Sequence, residues 1–367
     1  MVGGGPGAFI GDVHRRAAEL DGQARLVSGA FSSGPEASRA KGRELGLDPA
    51  LVFGDYRDMA AAQNSWEADQ RIDFVVVVTP NHLHYPVARA FLEAGVDVVC
   101  DKPLTTSVEH AEALCRLTAD RGRRFAVTYT YTGYSMLREA RHLARSGALG
   151  KIRRIQVEYF QGWLARDLES TGHRQASWRT DPARSGPAGA LGDIGTHGFN
   201  LAHWTTGLDL AEVVCDTATF VEGRSLEDDA SVLWRWEGGA RGALSVSQSA
   251  AGAENDLALT LMGSEASLWW RHTDPESLVM RDHGGRTRVL RRGGAGLSPR
   301  AAGAGRLPAG HPEGFTEAMA NIYRDFLAGT GYPTVQDGAR GVAFVDSVLA
   351  SARSGRWTDA SYSPPGG

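Results

Sequence analysis

The chain has 367 residues, 42% of them hydrophobic and 22% charged, with a formal net charge of −4. That length suits two domains with ordinary cores. The balance of charge excludes the basic footprint of a nucleic-acid binder. Cys100, Cys115 and Cys215 are far apart and lack metal spacing, so they read as reduced thiols of a cytoplasmic protein with no metal site. No apolar run is long enough to span a bilayer. No secretory leader is visible, and no repeat of solenoid period occurs.

The first stretch, Gly3-Gly4-Gly5-Pro6-Gly7-Ala8-Phe9-Ile10-Gly11, leads into a helix at about Asp12. Gly3 to Ala8 fit G-x-G-x-x-A, where glycines let backbone approach a pyrophosphate at a helix N-terminus. Only Met1 and Val2 precede the fingerprint, so the central first strand of such a sheet is expected to be stunted, or the start to be assigned a few residues late. Arg25 to Phe31, Ile72 to Thr79, Val96 to Cys100 and Phe125 to Thr128 read as strands. Their continuous apolar, β-branched character suits a parallel sheet buried on both faces. Helices are expected from Tyr85 to Ala94, stopped by Gly95, and from Ser107 to Arg121. This alternation predicts a doubly wound α/β domain over residues 1–128.

Three loops of that domain carry candidate chemistry. Phe31-Ser32-Ser33 ends the second strand where an acid would hold the ribose of NAD, or an arginine the phosphate of NADP. Neither stands there, and Arg39 and Lys41 follow on the next helix, so the choice between NAD and NADP stays open. Thr79-Pro80-Asn81-His82-Leu83-His84 and Asp101-Lys102-Pro103 end the next two strands. Ligands of open α/β sheets bind beyond such ends. A salt bridge is the plainer use of that lysine.

Past residue 150 the rhythm becomes one of alternating strands: Ile152 to Phe160, Ala211 to Val221, Ala230 to Trp236, Gly242 to Ser249 and Asp256 to Met262. Consecutive strands with little helix between them predict an open, mainly antiparallel sheet in an α+β domain over residues 129–367. Gly192 to Thr206 interrupts as a helix and sets Asp193 and His197 four apart, on one face. A carboxylate that orients an imidazole builds a general base, and it also satisfies a buried histidine. Arg292 to Gly310 reads as a mobile loop, Pro312 to Leu327 and Asp337 to Ser354 as helices, and Ser361 to Gly367 as a disordered tail.

Taken together, GGGPGAFIG at the start, TPNHLH at 79–84, DKP at 101–103 and GDIGTH at 192–197 resemble the Gfo/Idh/MocA oxidoreductase family, which includes glucose–fructose oxidoreductase and inositol dehydrogenase. WLARDLE at 163–169, QASWRTDPARSGPAGALGDIGTH at 175–197 and GHPEGF at 310–315 look like a sugar- or glycoside-acting subgroup. The family usually has Glu where Asp101 stands, a conservative change. Pro6-Gly7 lengthens the glycine loop relative to the shortest family form.

The resemblance implies a Rossmann domain, then a domain with an open antiparallel sheet, and a substrate held between that sheet and a nicotinamide. Lys102, Asp193 and His197 fall on the family's catalytic positions. His197 would take a hydroxyl proton, Asp193 would support its imidazole, and Lys102 would stabilise alkoxide charge. The cofactor set would be Gly3, Gly5, Gly7, Ala8, Phe9, Ile10, Ser32, Ser33, Thr79, Pro80, Asn81, His84, Asp101 and Lys102. Trp163, Trp178, Arg179, His311 and Glu313 are the substrate candidates. His203 and Trp204 are expected to pack, and His272 to lie on the surface.

The expected activity is NAD(P)-dependent oxidation of a secondary hydroxyl, or reduction of a ketone, on a sugar, glycoside or cyclitol. One alternative is redox-neutral glycoside cleavage through a transient keto-sugar with bound NAD. Another is a non-catalytic sugar or nucleotide sensor. An open sheet with one bare face further predicts a homo-oligomer.

Overall fold

The computed structural model describes residues 1–67 and 70–366. Two compact units emerge. The first joins Met1–Thr128 to Met319–Ala339 and the last residues from Pro364, and the second joins Tyr129–Ala318 to Arg340–Ser363.

In the first unit a four-stranded parallel sheet has the order β1 (Val2–Gly3), β2 (Phe74–Val78), β3 (Asp97–Cys100), β4 (Phe125–Val127). Val75, Val77, Val98, Val99 and Ala126 are fully buried, as a sheet covered on both faces requires. The helices are α1 (Phe9–Glu19), α2 (Pro35–Glu44), α3 (Tyr56–Ser65), α4 (His84–Glu93) and α5 (Val108–Arg121). α5 starts where Ser107 Oγ accepts the His110 N–H at 3.3 Å and stops at Gly122, whose φ of +58° suits a residue without a Cβ.

The strand expected over Arg25 to Phe31 does not form. Only single bridges remain, Val2 to Ala30 and Gly29 to Val52. The reason is its neighbour, since β1 has two residues and offers no strand backbone for Leu26 and Val27 to pair with. A cavity of about 760 Å³ lies there, lined by Met1, Leu26, Val27, Ser28, Phe74 and Val76 among others. The Met1 amine sits buried beside it, donates to the Ser28 carbonyl at 2.8 Å, and has its pKa pulled down to about 5 by desolvation.

The second unit is built on a nine-stranded sheet. Its strands are β5 (Ile152–Phe160), β6 (Leu210–Ala218), β7 (Asp229–Trp236), β8 (Arg241–Ser247), β9 (Asp256–Gly263), β10 (Ala266–Arg271), β11 (Asp274–Asp282), β12 (Thr287–Arg291) and β13 (Thr358–Asp359). Their order is β12-β11-β10-β9-β5-β8-β7-β6-β13. All neighbours are antiparallel except β5 and β8, which run parallel, so the sheet is mixed. Alternation is clean on β7, where Ala230, Val232, Trp234 and Trp236 are buried and Ser231 and Leu233 are exposed.

Helical segments α6 (Ser135–Arg145), α7 (Arg174–Arg179), α8 (Pro182–Ser185), α9 (Thr196–Thr206), α10 (Pro299–Ala302), α11 (Phe315–Leu327) and α12 (Val335–Ser354) complete the chain. Phe199 of α9 stacks on Phe344 of α12 at 4.6 Å within the core. Each such buried aromatic contributes about 1.5–3 kcal/mol.

Two segments expected to be loose are held. In the stretch from Arg292, that side chain is 6% exposed and donates to Glu276, to the Leu307 carbonyl at 2.8 Å and to the His311 carbonyl. The tail from Ser361 is ordered as far as Gly366, with Pro364 buried and Gln336 Nε2 donating to the Gly366 carbonyl at 3.4 Å. Gly367 lies outside the described residues.

Candidate active site

In the first unit the glycine loop is packed too tightly for side chains. A Cβ on Gly5 would stand 2.6 Å from the Phe31 carbonyl oxygen, and one on Gly11 would stand 2.5 Å from the Gly4 Cα. Gly3, at φ +89°, reaches the conformation that a side chain disfavours. Ala8 precedes α1, so the loop runs directly into that helix's N-terminus, with Gly7 and Phe9 exposed and Ile10 half-buried. That is a cradle for a pyrophosphate.

Ser32 and Ser33 follow Phe31, and Ser32 Oγ accepts the Gly34 N–H at 3.2 Å. The nearby cations are engaged elsewhere. Arg39 pairs with Glu36 at 2.6 Å, and the nearly buried Lys41 pairs with Glu44 at 2.8 Å and Asp12 at 3.5 Å.

The loops after β2 and β3 are tied together by His84. Its Nε2 faces the Thr79 carbonyl at 2.9 Å and its Nδ1 faces the Pro103 carbonyl at 2.8 Å. Burial lowers its pKa, against the pull of Asp101. Asp101 Oδ1 accepts the Lys102 N–H at 2.8 Å and the Thr128 hydroxyl at 3.1 Å, which pins the turn that presents Lys102. Thr79 Oγ1 is buried with no hydrogen-bond partner among the described residues, a polar group left for a ligand. Pro80 and the buried Asn81 complete that loop. His14 on α1 was missed by sequence reasoning; it is fully buried, with Nδ1 2.7 Å from the Tyr323 hydroxyl.

The second unit gathers Asp193, His197, Trp163, Trp178 and Arg179. Asp193 lies on a π-helical turn, Leu191–Gly195, that runs straight into α9. Such turns are rare and cluster at functional sites. Its Oδ2 accepts from Gln248 Nε2 at 2.8 Å and faces Arg179 Nε at 3.4 Å. The Arg179 guanidinium stands 4.2 Å from the Trp178 ring centroid and 5.9 Å from that of Trp163. Trp163 Nε1 donates to Gln161 Oε1 at 3.0 Å.

His197 is buried among three tyrosine rings, with centroids 5.8 Å away for Tyr129, 5.1 Å for Tyr131 and 6.3 Å for Tyr159. Burial pushes Tyr131 up to about 12 and Tyr159 well above the usual phenol value, so both stay neutral at working pH.

Gln161, Gln248 and Asn255 carry a polar network with no motif to announce it. Gln161 Nε2 donates to Asn255 Oδ1 at 2.7 Å, and Gln248 Nε2 donates to Gln161 Oε1 at 3.2 Å. The signal lies in strand register. Phe160 of β5 pairs with Ser247 of β8 and with Asp256 of β9, so the residues just beyond these three positions meet at one end of the sheet. His272, expected on the surface, is half-buried in the same network, with Nδ1 2.7 Å from the Asn255 carbonyl and Nε2 3.0 Å from the Tyr134 hydroxyl. Trp204 is buried, and His203 Nδ1 faces the Leu208 carbonyl at 2.9 Å.

His311 and Glu313 join a different cluster. His311 is exposed. Glu313 Oε1 accepts the N–H groups of Arg306 at 2.5 Å and Leu307 at 2.6 Å and faces Arg292 Nη1 at 3.3 Å. Among the described residues no group of three or more His, Cys, Asp or Glu could hold a metal, and no helix is long and apolar enough to cross a membrane.

Fold and glycine loop define an oxidoreductase with an NAD(P)-binding Rossmann domain. Residues 1–129 match the oxidoreductase family with the NAD-binding Rossmann fold, and residues 137–269 match the GFO/IDH/MocA C-terminal domain. The chain belongs to the Gfo/Idh/MocA family. It is 33% identical to the Bacillus subtilis oxidoreductase YfiI, over 97% of this chain and 94% of that one. It is 36% identical to an inositol dehydrogenase homologue of Azotobacter vinelandii solved with NADH and myo-inositol, with a TM-score of 0.90 over 98% of this chain and 96% of that one. The levoglucosan dehydrogenase of Pseudarthrobacter phenanthrenivorans is 26% identical, over 86% of this chain and 87% of that one.

Proposed function

We propose that the protein transfers a hydride between NAD(P) and a secondary hydroxyl or ketone of a sugar, glycoside or cyclitol. The observation that carries this reading is a buried histidine, His197, at the start of α9, preceded four residues earlier by a carboxylate, Asp193, that is held by Gln248 and Arg179 beside two tryptophans. An imidazole near neutral pH suits proton exchange with an alcohol. Two relatives support the substrate class, one solved with myo-inositol and one named for levoglucosan.

A nicotinamide dinucleotide held by the first unit would supply the hydride chemistry. Gly3, Gly5 and Gly7 would hold the pyrophosphate of that dinucleotide at the start of α1, and the Thr79 hydroxyl and Asn81 would help to orient it. His197 accepts the hydroxyl proton in oxidation and returns it in reduction. Asp193 supports the charge that His197 gains. Lys102 serves the same reaction by stabilising negative charge on the substrate oxygen. Trp163 and Trp178 offer apolar planes to the ring of a polyol, and Arg179 offers donors to its hydroxyls.

The test is fluorescence titration with NADH and NADPH, followed by absorbance at the reduced-nicotinamide band across a panel of cyclitols, anhydrosugars and glycosides. Saturable binding and net hydride transfer are expected. Binding without any transfer sinks the dehydrogenase reading, and release of free aglycone without net reduction replaces it with glycoside cleavage.

A further inference from the structure

Glu227 lies on no motif, yet it reaches the segment that carries Asp193 and His197. Its Oε1 accepts the N–H groups of Gly189 and Leu191, both at 2.9 Å, and its carbonyl accepts the N–H of Ala190 at 3.0 Å. The first N–H groups of a helix have no partner within it. One residue here satisfies three in a row, at the start of the π-helical turn. The approach is close, because a Cβ on Gly189 would stand 2.2 Å from the Glu227 carbonyl oxygen. Burial pushes the Glu227 carboxyl up, against the two N–H groups that hold it down.

The next residue holds the second grip. The Asp228 carbonyl accepts the Gln248 N–H at 2.8 Å, and the Gln248 amide donates to Asp193 Oδ2 at 2.8 Å. Asp228 is itself immobilised, since its carboxylate accepts the N–H groups of Phe220 at 2.9 Å and Val221 at 3.0 Å and meets Arg224 at 3.3 Å. Glu227 thus fixes the backbone before Asp193, and Gln248 fixes the carboxylate itself.

This arrangement matters because of the π turn. An α-helix and a π-helix wind by different angles per residue. Where the wide turn begins therefore sets how Asp193 is rotated about the axis relative to His197. We propose that Glu227 and Gln248 are positioning residues that clamp this turn and set the Asp193–His197 geometry, an inference that rests on the roles proposed for that pair.

The experiment compares Gln248→Leu, Glu227→Ala and Glu227→Gln in the full chain, with kcat, KM, NADH affinity and melting temperature measured for each. Gln248→Leu and Glu227→Ala are expected to lower kcat about tenfold or more, with KM and NADH affinity within about twofold. Glu227→Gln keeps an oxygen that accepts both N–H groups and is expected to recover most of the lost kcat. A Gln248→Leu kcat within about twofold of wild type overturns the proposal. So does a Glu227→Gln enzyme as impaired as Glu227→Ala. If Glu227→Ala does not fold, Gln248→Leu decides alone.

Should the wild type bind NADH and turn over no polyol, the dehydrogenase reading has failed, and the clamp is read without turnover. The His197 imidazole is then titrated by NMR in wild type and Gln248→Leu. A midpoint moved by about half a pH unit or more supports the clamp, and an unmoved one overturns it.

Discussion

The Tyr131 and Tyr159 hydroxyls meet at 2.6 Å beside His197, and Tyr159 passes its hydrogen bond on to Asn255 Oδ1 at 2.7 Å. Tyr159→Phe removes one member of that closed network and leaves its neighbours buried without it. A loss of about 1–3 kcal/mol in unfolding free energy is expected. Urea denaturation measures it, and a change below about 0.5 kcal/mol shows that the network reorganises around the gap.

Lys102→Ala and His197→Ala separate chemistry from cofactor binding. Each is expected to lower kcat by about 10²- to 10⁴-fold. NADH affinity is expected to stay near wild type for His197→Ala and to fall by less than about tenfold for Lys102→Ala, because the glycine loop and the Thr79 loop are untouched in both. Single-turnover kinetics beside a fluorescence titration make the comparison. Preserved turnover in either variant removes that residue from the mechanism.

The segment that follows Phe31 leaves the nucleotide choice weakly set. Ser32 and Ser33 carry no charge, and Arg39 is engaged by Glu36 at 2.6 Å. Discrimination between NADH and NADPH is expected to be less than about a hundredfold, and Ser32→Asp to shift it toward NADH about tenfold or more by repelling a 2′-phosphate. Dissociation constants for both nucleotides, in wild type and variant, check this.

The loops at the strand ends are legible in the sequence. TPNHLH and DKP follow unbroken apolar runs, and the parallel sheet requires their loops to share one edge. GDIGTH is legible as helix, though not as a π turn, because hydrophobic period cannot tell where a wide turn begins. Gln161, Gln248 and Asn255 are not legible. Each is a lone polar residue beside a strand, and only the long-range register of β5 with β8 and β9 brings them together. The parallel pairing of β5 and β8 is invisible for the same reason, since alternation reports a wet face and not a neighbour. Glu313 stands within a stretch that resembles a substrate loop, yet its carboxylate is spent on backbone N–H groups.

That difference yields a test. Glu313→Ala removes the acceptor for the Arg306 and Leu307 N–H groups and one partner of the buried Arg292. Stability is expected to fall by about 1–3 kcal/mol while KM for the reactive polyol changes by less than about twofold. A tenfold rise in KM at unchanged melting temperature would return Glu313 to the substrate residues.

The amine of Met1 links stability to pH in the chain that begins there. Buried, it has a pKa of about 5, against about 8 for a free α-amine. Between those values the unfolded chain binds the extra proton, so unfolding free energy rises with pH across that window and falls as pH drops through it. The full effect is roughly 4 kcal/mol at most, from about three pKa units. The cavity beside β1 adds a second expectation. A chain lengthened at its N-terminus by about four β-branched residues removes the buried titratable amine and gives Leu26 to Ser28 and Phe74 to Val76 a strand to pair with. It is expected to melt higher and to lose most of the pH slope between 5 and 8. Urea midpoints at both ends of that window, for both chains, decide the matter, because an unchanged slope in the longer chain would mean that the amine is not its source.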